Sequence, residues 1–571
     1  MRNITRIYKD VLVVGGGGAG AMAAMWAAKD VESVGLVEKG IFGNSGCTPM
    51  AGFSVCAAAG IADPRDNPGV HFEDTLRSGQ YVNNQELVKN YTEEAVERIW
   101  ELMSHGCKLT MENGRPHQAQ MPGHTYPRAF HYERKTGPMV MRSLAGAARK
   151  TPGVEVFKET VMADLVVNQD GLHHGIALNW ADSSILVFSA KVIVIATGSA
   201  AQVFRNTTSS LDNTGDGLAL MYRAGAELSD MEFVQFYPTT QCYPKFLGMG
   251  PTCPAFLRLN TGARLRNGND KPFMDAIMPD WRFKATRDFL AQCIYREVAQ
   301  GRGTPHGGVW IDLLHLEPEV VKEKFAISNY YGKALRSGVD LTKDRVETTV
   351  AAHYFMGGLT VTAEGATTLP GIYAGGEAVA GYHGANRLGG NAVSEILVSG
   401  QRAGLYGARA ALDRKGAGDH PDLPARVDAL RKRMARWENN ADGEKPARLK
   451  RELKNIMWEK AGVVRSAEGL EQGLTDLEAL ERKSRNMRIN SRKSCNRELL
   501  DALEFGYMLD VSRLIMAPAL RRTESRGAHF REDHPERDNA NWLANIHSSR
   551  SDSGPVLEIR PVKLLYSKPE A

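Results

Sequence analysis

The 571-residue sequence holds only seven cysteines (Cys47, Cys56, Cys107, Cys242, Cys253, Cys293 and Cys495), and no two form a CxxC pair. That spacing leaves no framework for a zinc ribbon or an iron–sulfur cluster within the chain, and no metal site is expected. The cysteine number is odd and no signal peptide precedes the first expected strand. Free thiols in a reducing, cytoplasmic setting are therefore the expectation. No uninterrupted apolar run reaches about 18 residues, so no direct membrane span is expected. Any attachment to the inner membrane would be peripheral, through partner subunits. Charge of one sign is also scarce, 71 Lys and Arg against 66 Asp and Glu. So small an excess, with no aromatic-rich basic motif, excludes a nucleic-acid partner. Internal repeats and long low-complexity segments are absent. What is there, 43% hydrophobic and 24% charged residues, is a globular composition with material for roughly two to four domains.

The opening reads strand, tight turn, helix, strand. Val11-Leu12-Val13-Val14 is an apolar run suited to a strand buried on both faces. Gly15-x-Gly17-x-x-Gly20 follows, with Gly18 and Ala19 inside it, and an alanine-rich helix runs to about Ala28. A second strand, Ser33 to Val37, ends at Glu38 beside Lys39. The glycines suit a tight turn and a close approach to pyrophosphate, which a helix N-terminus favours. Glu38 stands where an acid binds ribose hydroxyls. Strand, fingerprint, helix and acid in register point to a dinucleotide. They do not separate FAD from NAD.

Two later segments read as buried strands of the same sheet. Val192 to Ile195 runs into Ala196-Thr197-Gly198, and Ile372 to Ala374 runs into Gly375-Gly376-Glu377. Small residues there suit a backbone that approaches a ligand. Texture changes near 245, 350 and 420. The first stretch is rich in Gly, Pro and Arg, with a helical pattern from Asp288 to Ala299, and reads as an inserted domain. From about Pro421 to Leu520 the pattern is helical and charged. Within it, Arg482 to Arg497 carries seven basic residues and no acidic one. It is either a solvated helix face or a docking face for an acidic partner. The tail, Val556 to Val562, alternates like an edge strand.

Several motifs resemble the flavoprotein subunits of the succinate dehydrogenase and fumarate reductase family, which also includes aspartate oxidase and the adenylylsulfate reductase flavoprotein. They are Asn213-Thr214-Gly215-Asp216-Gly217, Thr286-Arg287-Asp288, His353-Tyr354-Phe355-Met356-Gly357-Gly358, Gly384 to Asn391, and Glu524 to His529 with Arg531-Glu532-Asp533. Their shared order covers about residues 9 to 545. The resemblance implies an α/β fold: a Rossmann-like FAD-binding domain (1–244 and 351–420), an inserted α+β capping domain (245–350), a C-terminal helical domain (421–520) and a terminal segment (521–571). It implies FAD as cofactor, with Lys39, Ser45, Gly46, Cys47, Gly52, Asp216, Asn391, Ala392, Ser394 and Arg387 among its contacts. It further implies that His353 and Arg387 hold a substrate carboxylate and that Arg287 moves the proton. Tyr237 and Arg258 would complete the pocket.

The chain departs from that family twice. Gly46 stands where classical members carry the histidine bonded covalently to flavin, so a non-covalent FAD, as in aspartate oxidase, is expected and succinate oxidation is disfavoured. Gln235-Phe236-Tyr237-Pro238-Thr239 has Tyr237 in place of a substrate-binding histidine, and near Ala255 to Leu259 only Arg258 of a polar motif survives. A second buried carboxylate would lack partners there. The expectation is hydride transfer between flavin N5 and a small carboxylic acid, by C=C reduction or CH–CH dehydrogenation, on a substrate other than plain fumarate or succinate. Electrons would pass through a separate iron–sulfur subunit. Three alternatives stand beside it: an amine oxidase like aspartate oxidase, an adenylylsulfate reductase (disfavoured by Arg287, His353 and Arg387 together) and a non-catalytic FAD scaffold.

Overall fold

A computed structural model describes residues 4–52, 54–133, 135–244, 262–281, 285–326, 330–416, 418–552 and 554–569. The apolar run at the start becomes the inner part of a longer strand, Ile4–Val14. It pairs in parallel with Val34–Val37 on one side and Ile185–Ile195 on the other. Val154–Phe157 extends the sheet beyond Val34–Val37. The first part of Ile185–Ile195 pairs antiparallel with His173–Asn179, which pairs with Thr160–Val166. Its last three residues pair in parallel with Ile372–Ala374. Strand ends at Val14, Val37, Ile195 and Ala374 therefore share one edge. Two helices cover the sheet there, Gly18–Ala27 and Asn391–Asp413. They pack so closely that a Cβ on Gly400 or Gly404 would lie 2.3 Å from the carbonyl oxygens of Ala19 or Ala23.

A second, antiparallel sheet runs Val234–Tyr243, Val346–Phe355, Val309–Asp312, Arg264–Arg266. It pairs strands inside 245–350 with one that precedes 245 and one that runs across 350, so the expected capping segment shares a sheet with the chain on either side of it. Helix Arg287–Glu297 packs on Val234–Tyr243. It begins one residue before the expected Asp288, which makes Arg287 its first residue.

The C-terminal region carries helices Leu423–Asn439, Pro446–Lys460, Ala467–Ser484 and Arg497–Arg521. Pro446–Lys460 is amphipathic, burying Leu449, Leu453 and Met457 at four-residue spacing. Arg497–Arg521 is buried along most of its length, from Leu499 to Ala519. Beyond it, Ala544–Ser551 and Gly554–Pro561 form a hairpin whose outer strand is the expected edge strand. The first of the two pairs with Leu228–Ser229.

A buried ion network locks this hairpin to the chain leading into the second sheet. Arg522 donates to Glu232 (2.7 Å), to Glu524 (3.1 Å) and to the Ala544 carbonyl (2.9 Å). Arg526 donates to both oxygens of Glu524. Among the described residues no helix is long and apolar enough to cross a membrane, and Cys47, Cys56, Cys107, Cys242, Cys293 and Cys495 carry free thiols.

Candidate functional site

The glycine turn sits where the strand ends converge. Gly15 has φ +109°, and a Cβ on it would meet the Ala196 oxygen at 2.2 Å. A Cβ on Gly20 would meet the Gly15 oxygen at 1.8 Å. Strand and helix can approach this closely only without those side chains. Gly17 caps the helix, and a Cβ there would have only Thr48 Oγ1 nearby, at 3.6 Å. Gly18 N–H donates to Thr48 Oγ1 (3.0 Å). The first-turn N–H groups of Gly18, Ala19 and Gly20 have no intrahelical acceptor, so the end is electropositive. Glu38 is buried at the end of the second strand. It accepts from Gly16 N–H (2.7 Å) and Gly40 N–H (2.8 Å), and burial raises its carboxyl above the ordinary range.

The neighbouring wall is small and partly open. A Cβ on Gly46 or on Gly52 would meet nothing within 4 Å. Gly46 N–H donates to Asp212 (3.1 Å), and Ser45 Oγ accepts from Ile41 N–H (2.7 Å). Cys47 Sγ lies 2.8 Å from Ser209 Oγ, and burial pushes its thiol up to about 12. Ala196 N–H donates to Val14 (2.8 Å), while the next side chain, Thr197, buries an Oγ1 with no partner. Gly198 follows in the left-handed region at φ +70°. Gly376 N–H donates to Ser399 Oγ (2.8 Å); Glu377 accepts from Phe355 N–H (3.0 Å), and burial raises it to about 7. The donor-rich helix end, the open glycine faces and the unpartnered Thr197 hydroxyl fit FAD.

Four expected contacts use their side chains elsewhere. Lys39 Nζ binds Asp216 (2.9 Å) and Glu504 (3.0 Å); burial alone would depress it, but these two carboxylates hold it above its ordinary value. Asn391 bonds His71 and Thr75, both at 3.0 Å. Ser394 Oγ lies 3.0 Å from the Tyr91 hydroxyl. Ala392, between them, remains half-buried in the first turn of its helix.

The expected substrate pocket gathers side chains from four segments. Tyr237, 3% exposed, lies on Val234–Tyr243. Its ring is 5.2 Å from that of His353 on the paired strand, and the Arg287 guanidinium lies 5.7 Å from its centroid. Arg387, 7% exposed, stacks on Tyr354 at 4.6 Å and donates to Gln235 Oε1 (3.3 Å). A Cβ on Gly389 would lie 3.2 Å from an Arg287 nitrogen, so the 384–391 turn closes against Arg287. His353 Nδ1 is 2.7 Å from Thr208 Oγ1, which orients the ring. Arg258 lies outside the described residues.

This pocket is cationic and starved of counter-charge. Burial, then Arg287, pushes Arg387 down to about 10, and burial lowers Arg287. Burial with both arginines holds His353 well below its usual range, so it is neutral. Arg287 NH1 and Arg387 Nε are buried without partners. A planar carboxylate is the group such a pocket is short of.

Thr208, Gln235 and Asp212 escaped the sequence reading. Gln235 belonged to a recognised motif and could have been singled out; Thr208 and Asp212 sit in an unremarkable polar run.

Residues 10–393 match the FAD binding domain family, and residues 450–571 match the fumarate reductase flavoprotein C-terminal family. The chain is 35% identical to a fumarate reductase (CoM/CoB) subunit of Methanothermobacter marburgensis, covering 92% of this chain and 94% of that protein. It superposes on Mycobacterium smegmatis Sdh1 in complex with UQ1 with TM-score 0.89 and 34% identity, covering 98% and 95% of the two chains. For a mutant of E. coli quinol fumarate reductase FrdA the TM-score is 0.89, with 28% identity and 99% of each chain covered.

Proposed function

The chain belongs to the FAD flavoprotein family of the fumarate reductase and succinate dehydrogenase type, and from that premise we propose that it works on a small carboxylic acid, at the C–C bond beside the carboxylate. One observation carries this reading: Arg287 and Arg387 converge with no ion-paired carboxylate among the described residues, beside a neutral His353. FAD, when bound, supplies or receives the hydride. Arg387 offers the carboxylate a two-pronged guanidinium, positioned by Tyr354 and Gln235. His353, fixed by Thr208, adds a hydrogen bond. Arg287 moves the proton at the second carbon through NH1, whose burial and lowered pKa ease its release. Tyr237 closes the pocket against water with an uncharged phenol, which can give one hydrogen bond.

The far end therefore favours a substrate with one carboxylate and an apolar end. A second reading, fumarate, is favoured by the 35% identical relative named a fumarate reductase. In either case electrons reach the flavin from a separate iron–sulfur subunit, since this chain carries no CxxC motif.

Anaerobic photoreduction followed by addition of candidate acids tests both. One panel holds fumarate, alkyl and aryl acrylates, and iminoaspartate. Rapid return of oxidised-flavin absorbance with an acrylate, slowed about a hundredfold or more in Arg287→Ala, supports the first reading, and the same result with fumarate alone supports the second. Reoxidation by oxygen only, with no acid effective, would sink both.

A further inference from the structure

The helical domain contains a cavity of about 160 Å³ that the reaction does not use. Arg433 and Trp437 line it from helix Leu423–Asn439, one turn apart and so on one face. The Arg433 guanidinium lies 5.4 Å from the Trp437 ring centroid. Trp437 is 3% exposed, and its indole Nε1 is buried without an acceptor. Arg433 Nε is buried without an acceptor as well.

Both groups are donors only, so what satisfies them must accept. A buried indole N–H ordinarily finds a partner, and a sheltered guanidinium ordinarily has a counter-ion. Two carboxylates also line the cavity, and each already holds one arginine. Asp510 takes Arg223 Nε at 2.6 Å, and Glu481 takes Arg513 at 2.6 Å. The Tyr507 hydroxyl donates outward, to the Met162 and Ala163 carbonyls. The lining continues through Ser484 and Met487 into the basic stretch from Arg482 to Arg497, where Arg482 and Arg485 are exposed. These exposed basic side chains, with Arg223 in the wall, offset the two lining carboxylates and favour the approach of an anion. With about 30 Å³ per water, the space suits a group the size of acetate or phosphate.

We propose that this cavity binds a small oxyanion, of carboxylate or phosphate chemistry, through Arg433 and Trp437. The anion is either free or the side chain of an acidic partner segment, and the two sources separate by experiment. Isothermal titration of the FAD-loaded protein in low-chloride buffer uses two probes, inorganic phosphate and a blocked tri-glutamate peptide. An Arg387→Ala background silences the acid pocket. Saturable binding of phosphate, weakened about tenfold or more in Arg433→Gln, identifies a free-anion site. Binding of the peptide at least about tenfold tighter than phosphate, with the same loss, identifies an acidic side chain. Trp437→Phe keeps the ring and removes the N–H, so it carries the test if Arg433→Gln loses its flavin or its cooperative melt. Absence of saturable binding for both probes, or binding indifferent to both substitutions, overturns the proposal.

Discussion

Two clusters of buried arginines in this molecule face opposite situations. Around Arg522, burial alone would depress the guanidinium, yet the directly bonded Glu232 leads the groups that outweigh it and hold Arg522 above its ordinary value. Around Arg387 nothing does so, and the guanidinium falls to about 10. Glu377 acts on Arg387, but burial raises its carboxyl to about 7, so only about half of it is ionised at neutrality, too little to offset burial and Arg287. The first cluster is complete and holds the C-terminal hairpin in place. The second has no ion-paired carboxylate among the described residues, and the proposed carboxylate substrate would supply one.

The contrast can be broken by substitution. Glu232→Ala leaves Arg522 under-compensated, and denaturant unfolding should show a loss of about 3–5 kcal/mol. Flavin reoxidation by the folded fraction should stay normal. Arg287→Ala should do the reverse. Reoxidation by the acid drops about a hundredfold, close to 3 kcal/mol of barrier, while the melting temperature holds or rises because an unpaired buried cation is gone. If Arg287→Ala melted as Glu232→Ala does, the two clusters would not differ in kind. Gly20→Ala places a Cβ against the Gly15 oxygen and should cost about 1–3 kcal/mol, read as a lower FAD content after purification.

The smallest effect concerns pH. Between the ordinary 4.5 and about 8, folded Glu395 keeps a proton that the unfolded chain releases. Its contribution to stability therefore falls as pH rises through that window. Glu395→Gln should flatten the decline, measured as denaturation midpoints from pH 5 to pH 8.

The dinucleotide end was largely legible. Gly15, Gly17 and Gly20 act through local backbone sterics, and Val11 to Val14, Ile372 to Ala374 and the tail strand announced themselves by hydrophobic pattern. The FAD-contacting roles expected of Lys39, Asp216, Asn391 and Ser394 followed from motif position, and position does not reveal direction. Lys39 meets Glu504 from a helix far along the chain, and Ser394 meets Tyr91. The proposed substrate pocket was legible only as a set of isolated residues. Their convergence depends on the pairing of Val234–Tyr243 with Val346–Phe355 and on the closure of Gly389 against Arg287.

By itself, then, the sequence determined the parallel sheet, the phosphate turn, the helical C-terminal region and the residue types available for chemistry. Those depend on side-chain size and on periodicity, which neighbours along the chain settle between them. Which arginine is neutralised and which is left wanting an anion was decided by the tertiary structure alone. Charge and desolvation act through space, and both Arg522 with Glu232 and Arg287 with Tyr237 meet only after the chain has folded.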